Sequence, residues 1–167
     1  MGTKNLARQG SVAAAALMIA SAALSGCSSA SGSSGNDGVY INTGSGTKLI
    51  LVDGDSVVSA TNRNSGDACR YYITMLERAE KGDLDADYVK AYDGQKGDVA
   101  TGTVTKEQST VVWGADTVQP FAFNTPLDGS ITTDEPATTH GQKGIVFVPV
   151  DSDQAKLIIA DRRTRTC

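Results

Sequence analysis

Histidine is almost missing from this chain of 167 residues: there is one, His140. A single histidine cannot build a multi-histidine metal site within one chain, and it restricts any histidine-based triad to that position. It stands in the polar stretch Thr138-Thr139-His140-Gly141, where a surface loop residue is the simpler reading. Other catalytic patterns are missing too: there is no Gly-x-Ser-x-Gly elbow, phosphate-binding glycine loop or His-Glu-x-x-His. Ser45-Gly46-Thr47-Lys48 matches a Ser-x-x-Lys nucleophile pattern, but that chemistry needs the serine at a helix start. Here it falls in a turn between two strands, and neither Ser-Asp-Asn nor Lys-Thr-Gly follows. Asp83, Asp85 and Asp87, with Asp93 beyond, open like a calcium loop. Tyr88 stands where that loop needs glycine, and no glutamate closes it. A solvated acidic turn is expected instead, and no catalytic residue, metal ligand or cofactor is expected anywhere.

Long hydrophobic runs are missing as well. The longest, Val12 to Leu24, is alanine-rich and 13 residues long, short of the roughly 20 that a helix needs to cross a bilayer. Lys4 and Arg8 precede it, and the small residues Ser25 and Gly26 separate it from Cys27. This is the charged, apolar and cleavage order of an export signal. Leu24-Ser25-Gly26-Cys27 resembles the lipobox of bacterial lipoproteins: an aliphatic residue, two small residues, then cysteine. The resemblance implies removal of residues 1–26, a diacylglycerol on the thiol of Cys27 and often an acyl chain such as palmitate on the new amino group. Two or more chains hold a protein durably at a membrane, whereas one does so only marginally. The implied location is the extracytoplasmic face of the cell membrane. An ordinary signal peptide with a chance cysteine is the alternative. A twin arginine is missing, and Leu6 stands where N-myristoylation wants serine or threonine.

Cysteine is scarce, with three in all. If Cys27 is acylated, Cys69 and Cys167 remain in a disulfide-permissive compartment, and a bridge between them is expected. Two free thiols, or intermolecular pairing through the terminal residue, are the alternatives. Basic residues are also in deficit. Loss of Lys4 and Arg8 with the signal leaves 13 Lys and Arg against 19 Asp and Glu, a mature net charge of −6. Such a chain is a poor nucleic-acid binder and mildly repels anionic lipid. Three regions follow: signal peptide 1–26; lipidated cysteine and Gly/Ser tether 27–37; and a single β-rich domain, 38–167. The ten residues Ser28 to Asp37 span roughly 16–19 Å as a random coil.

Within that domain, Val39–Ile41, Lys48–Val52 and Ser56–Ser59 read as a three-stranded meander, with Asp53-Gly54 as a two-residue turn. Cys69, Tyr72, Ile73, Leu76 and Ala79 recur on one helical face, which predicts a main helix over about 68–81, closed by Gly82. The Tyr-Tyr-Ile-Thr run also has strand propensity, and a shorter helix is expected near Asp85–Tyr92. Period two then returns. Strands are expected at Val99–Thr105, Thr110–Trp113, Val118–Asn124, Ser130–Thr133, Gly144–Val150 and Lys156–Ala160, with the last two paired and central and Pro149 at a strand end or edge. The expected core includes Leu49, Leu51, Ile73, Leu76, Val104, Val112, Phe147 and Ile159. The fold class is α+β, mainly β: an antiparallel meander forming a small barrel or sandwich with one main helix.

The opening Gly38-Val39-Tyr40 and its two hairpins resemble the start of small lipocalin-like lipoprotein barrels. The close, Gly144 to Pro149 and then Ala155 to Ile159, is similar to the final hairpin of immunoglobulin-like extracellular lipoprotein domains. Each resemblance covers about 20 residues of generic strand pattern, so the body is assigned to no family. The expected function is a membrane-anchored, non-catalytic binding or interaction module of the cell envelope. Its partner would be an envelope protein or a small ligand, with no nucleic acid and with the membrane reached through Cys27. The alternative is a carrier of a small apolar ligand inside a barrel; an envelope enzyme is a third reading that a convergent carboxylate pair would favour.

Overall fold

The computed structural model describes residues 36–63, 66–95, 97–105, 107, 109–114, 117–124, 128–134, 143–165 and 167. The export segment, Cys27 and the tether to residue 35 lie outside the described residues. Eight antiparallel strands run in chain order: β1 Gly38–Asn42, β2 Lys48–Asp53, β3 Ser56–Thr61, β4 Asp98–Thr105, β5 Thr110–Trp113, β6 Thr117–Phe123, β7 Ile131–Thr133 and β8 Ile145–Pro149. Each pairs with its neighbours, and β8 pairs back onto β1 through Tyr40↔Pro149, Ile41↔Val148 and Asn42↔Phe147, closing the barrel. Three helices accompany it: α1 Gly66–Lys81, α2 Ala86–Lys90 and α3 Asp153–Thr164.

The strands fall into two kinds, and the sequence pattern explains both. β1, β2 and β3 are buried on both faces, so they read as near-continuous apolar runs such as Leu49-Ile50-Leu51-Val52. Their inward residues Tyr40, Ile50, Val52 and Val57 join Val104, Val111, Trp113, Phe121, Ile131 and Phe147 inside the barrel. Their outward residues Ile41, Leu49, Leu51, Val58 and Ala60 meet the helices. On β4 the inward residues Ala100, Gly102 and Val104 alternate with Thr101, Thr103 and Thr105, and Val118 on β6 is an exposed large apolar residue. In β2 both residue sets are apolar, so alternation cannot set the register. The tight turn does: Asp53↔Ser56 closes the pair around Gly54-Asp55, one residue later than the expected Asp53-Gly54, with Gly54 at φ +58°.

α1 lays Ala68, Cys69, Tyr72, Met75, Leu76 and Ala79 on the barrel wall and starts two residues before the expected bound. Gly82, at φ +72°, ends it: Gly82 N–H donates to the Ala79 carbonyl and Asp83 N–H to that of Arg78, the two bonds of a Schellman cap. The expected shorter helix is α2, capped by Asp85, whose side chain accepts from Tyr88 N.

Lys156–Ala160 is not a strand, which corrects the sequence reading. It lies inside α3, a twelve-residue helix capped by Ser152, whose side chain accepts from Ala155 N. With β8 already paired on both sides, no edge is left for a ninth strand. Ala155, Ile158, Ile159 and Arg162 face inward at helical spacing, while Leu157 points to solvent at 74% exposure. The acidic first turn at Asp153 and basic last turn at Arg162 and Arg163 suit the helix dipole. Two core expectations also change. Val112 lies on the outer face beside the inward Val111, and Ile73 is half-buried at the margin of the α1 stripe; both are intermediate in exposure. Leu49, Leu51, Leu76, Val104, Phe147 and Ile159 are buried as expected, and Pro149 ends β8.

The turn between β1 and β2 is clasped by two helices. Tyr72 Oη donates to the Gly46 carbonyl at 3.2 Å, and a Cβ on Gly46 would overlap Ile158 Cγ2 and crowd Arg162. Gly54 has a similar positive φ but open space around it. Gly54→Ala should therefore cost only the left-handed strain, about 1 kcal/mol. Gly46→Ala should add overpacking of about 1–3 kcal/mol. Urea midpoints of the two variants check this; equal losses would show that α3 does not pack closely on the turn.

Candidate functional site

The barrel lumen is filled by its own side chains. Tyr40, Trp113, Phe121 and Phe147 are the bulky ones, and all four are buried. Among the described residues, a void of about 20 Å³ lies at the mouth formed by the ends of β2, β3, β4, β5, β7 and β8. Two small inward residues, Ser59 and Ala100, pair with each other in its lining, whereas the space beside Gly102 is taken by its partner Trp113. Lys48, Thr61 and Asp98 form the outermost layer, joined through the register Lys48↔Thr61↔Asp98. Asp98 is ion-paired with Arg63, and Asp134 accepts from Gly144 N at 2.8 Å. Burial holds the Lys48 ammonium below the usual lysine pKa.

The opposite end carries an open groove of about 800 Å³. Val39, Leu51 and Leu84 contribute apolar surface, while Asp37, Asp53 and Asp151 are among its acidic residues. Tyr40 reaches this end, where its Oη donates to the Asn36 carbonyl at 2.7 Å. Burial, then the nearby charges of Asp37 and Asp151, raise its pKa. Beside the barrel, Tyr71 stacks on Tyr88 at 4.7 Å and on Tyr92 at 5.9 Å between ring centres, and Arg78 lies 4.2 Å over the Tyr88 ring. Gly97 is needed here, since a Cβ would overlap the Tyr92 ring.

The residues singled out from sequence do not converge. Cys69 and Cys167 are bonded to each other, with Cα atoms 5.5 Å apart, which ties α1 to the chain end beyond α3 rather than beyond a last strand. Cys27 and His140 lie outside the described residues. Ser45 Oγ is hydrogen-bonded with Thr47 Oγ1 at 2.6 Å in the exposed turn. The aspartates of the acidic stretch face cations: Asp83 and Asp85 lie 3.7 and 3.8 Å from Arg78, and Asp87 lies 3.6 Å from Lys90. Among the described residues, no three histidine, cysteine or carboxylate side chains gather to hold a metal. The mouth cluster was not foreseen; its signal, small residues at inward positions of adjacent strands, becomes readable only once the register is known. No protein-family model, curated protein or solved structure matches the chain.

The bridge spans 98 residues of sequence. Closing so long a loop contributes about 4–5 kcal/mol in the chain-entropy model. Reduction, or Cys167→Ser, should lower Tm by about 10–20 °C. Amide exchange should quicken first in the last turn of α3. Calorimetry with hydrogen exchange checks both, and an unchanged Tm would contradict them.

Proposed function

We propose that the chain is an exported, lipid-anchored lipoprotein whose barrel serves as a non-catalytic binding or interaction module on the extracytoplasmic face of the cell membrane. The observation that carries this reading is the partition of the three cysteines. Cys69 and Cys167 are joined to each other. That leaves over the one cysteine, Cys27, that completes the lipobox Leu24-Ser25-Gly26-Cys27. A bridge of this kind persists in oxidising compartments, which agrees with export. Among the described residues no helix is long and apolar enough to cross a membrane. Attachment would then rest on the lipid, whose two or three chains suffice for durable anchoring.

The packed lumen favours a binding module over a carrier of apolar ligands. A carrier needs an interior large enough to enclose its cargo, typically some hundreds of Å³. The void here is about 20 Å³, and buried aromatic rings occupy the space that cargo would need. Surfaces remain for a protein partner: the acidic groove, the tyrosine stack of α1 and α2, and the exposed outer wall of β4 to β6.

Cys27→Ser should abolish incorporation of labelled palmitate and shift the protein from the detergent phase to the aqueous phase or to an unprocessed precursor. The Tm of the barrel should stay unchanged, because neither bridged cysteine is touched. Unaltered detergent partitioning and mature mass in that variant would sink the lipoprotein reading.

A further inference from the structure

The open groove at the Asp37 end of the barrel is acidic on its rim and apolar on its floor. Among the described residues that line it are five carboxylates, Asp37, Asp53, Glu80, Asp85 and Asp151, against one cation, Lys81. Two of the five face arginines: Glu80 pairs with Arg163, and Asp85 lies 3.8 Å from Arg78. Asp53 and Asp151 are exposed and enter no ion pair among the described residues. Asp37 stands between them, its carboxylate accepting from Gly54 N at 3.1 Å.

The register sets their spacing. Gly38 pairs with Val52, and Val150 N–H donates to the Val39 carbonyl at 3.0 Å. Asp151, Asp37 and Asp53 therefore stand at the ends of three adjacent strands, β8, β1 and β2. Neighbouring strands lie about 4.8 Å apart, so the row spans roughly 10 Å. The last turn of α1 opens onto the same groove, and the negative end of its dipole adds to the row. Beneath the row lie Val39 and Leu84, half-buried, and Leu51 and Val150, buried. A second hollow of similar size, about 860 Å³, lies beside the start of α1. It too has aspartates, Asp67, Asp93 and Asp98, but Arg63 shares it and its described lining has no large apolar side chain. Carboxylates over an apolar floor are what set the groove apart.

Its occupant must bring cations and apolar side chains together, and this chain has none to offer. In the arginine run, Arg162 is buried, Arg163 holds Glu80 and Arg165 holds Asp161. Ser28–Gly35 carries no charged residue, and Lys4 and Arg8 belong to the segment that export would remove. A second copy is itself acidic, with a net charge of −4 for the whole chain, and anionic lipid is repelled for the same reason.

We propose that the groove docks a cationic, amphipathic segment of a partner protein. Two Lys or Arg side chains lie along the row of Asp53, Asp37 and Asp151, and an apolar side chain between them rests on Val39 and Leu84. An extended segment suits the row, since its alternate side chains are about 7 Å apart. This names the partner class of the binding module and rests on that reading, but the groove belongs to the barrel and α1 and does not depend on Cys27.

The test titrates the unlipidated Cys27→Ser chain calorimetrically with three capped peptides. Lys-Leu-Lys-Val-Lys should bind saturably, and more weakly as salt rises. Lys-Ser-Lys-Ser-Lys, which keeps the charge without the apolar side chains, should bind about fivefold more weakly or worse, and Glu-Leu-Glu-Val-Glu should not bind. Asp53→Asn combined with Asp151→Asn should weaken Lys-Leu-Lys-Val-Lys about tenfold. Asp67→Asn combined with Asp93→Asn removes equal charge at the second hollow and should change it by less than about twofold. Absence of saturable binding, equal binding of the serine peptide, or equal weakening by the two double variants would overturn the proposal. The peptide comparisons need no aspartate variant, so they decide should those variants fail to fold. A failed titration strikes the groove alone and leaves detergent partitioning to judge the anchor.

Discussion

Everything in this fold depends on β1 having two partners. It holds β2 on one side and β8 on the other, so the sheet has no free edge. Closure divides every strand into an inner and an outer residue set and so makes two cores from one sheet. The inner core fills the lumen; the outer core lies between β1–β3 and the helices. Without closure, β1 to β3 would be an apolar ribbon with one face too many. With it, the double-sided runs become the shared wall between the two cores, and α1 and α3 are obliged to cover the outside.

The helices are in turn held by contacts far apart in sequence. α3 packs Ile158 and Arg162 against Gly46 in the first hairpin, Arg163 pairs with Glu80 of α1, and Cys167 is bonded to Cys69. Chain termini are ordered only where something ties them down. Here a covalent bond and an ion pair secure the C-terminal segment to α1, while a glycine made necessary by α3 lies in a turn that α1 also grips through Tyr72. The bridge therefore stabilises more than a tail: it fixes the cover over the outer core. Its pairing also accounts for two of three cysteines, which gives the remaining one, Cys27, its interest.

The legibility of these parts in the sequence varied with how local their causes are. β5 was readable to the residue, and β4, β6 and β8 to within one residue at each end, because alternation and turn residues are local signals. α1 was readable from its stripe and from Gly82. α3 was misread because Leu157-Ile158-Ile159 has the β-branched look of a strand. Ser152 as a cap, Asp153 in the first turn and the Arg162-Arg163 pair in the last were helix signals standing on either side of that run. Val112 was misplaced by one step of the pleat, which exchanges the inner and outer faces. The mouth could not be read at all. Ser59, Ala100, Gly102 and Trp113 lie on three strands and meet only through registers that closure and turn geometry decide.

The two ends of the barrel suit an anchored module in different ways. The chain enters β1 beside Asp37, at the end that also bears Asp53 and Asp151. The mouth with Lys48 and Trp113 is at the other end, where β1 turns into β2. In the lipoprotein reading the acidic end is the one tied to the membrane. A tether spanning roughly 16–19 Å lets it stand off by about twice the Debye length of roughly 8 Å at physiological salt. Repulsion between those carboxylates and anionic headgroups is then largely screened at full reach and grows only as the domain approaches the surface. Those charges would thus keep the domain from lying down on the bilayer.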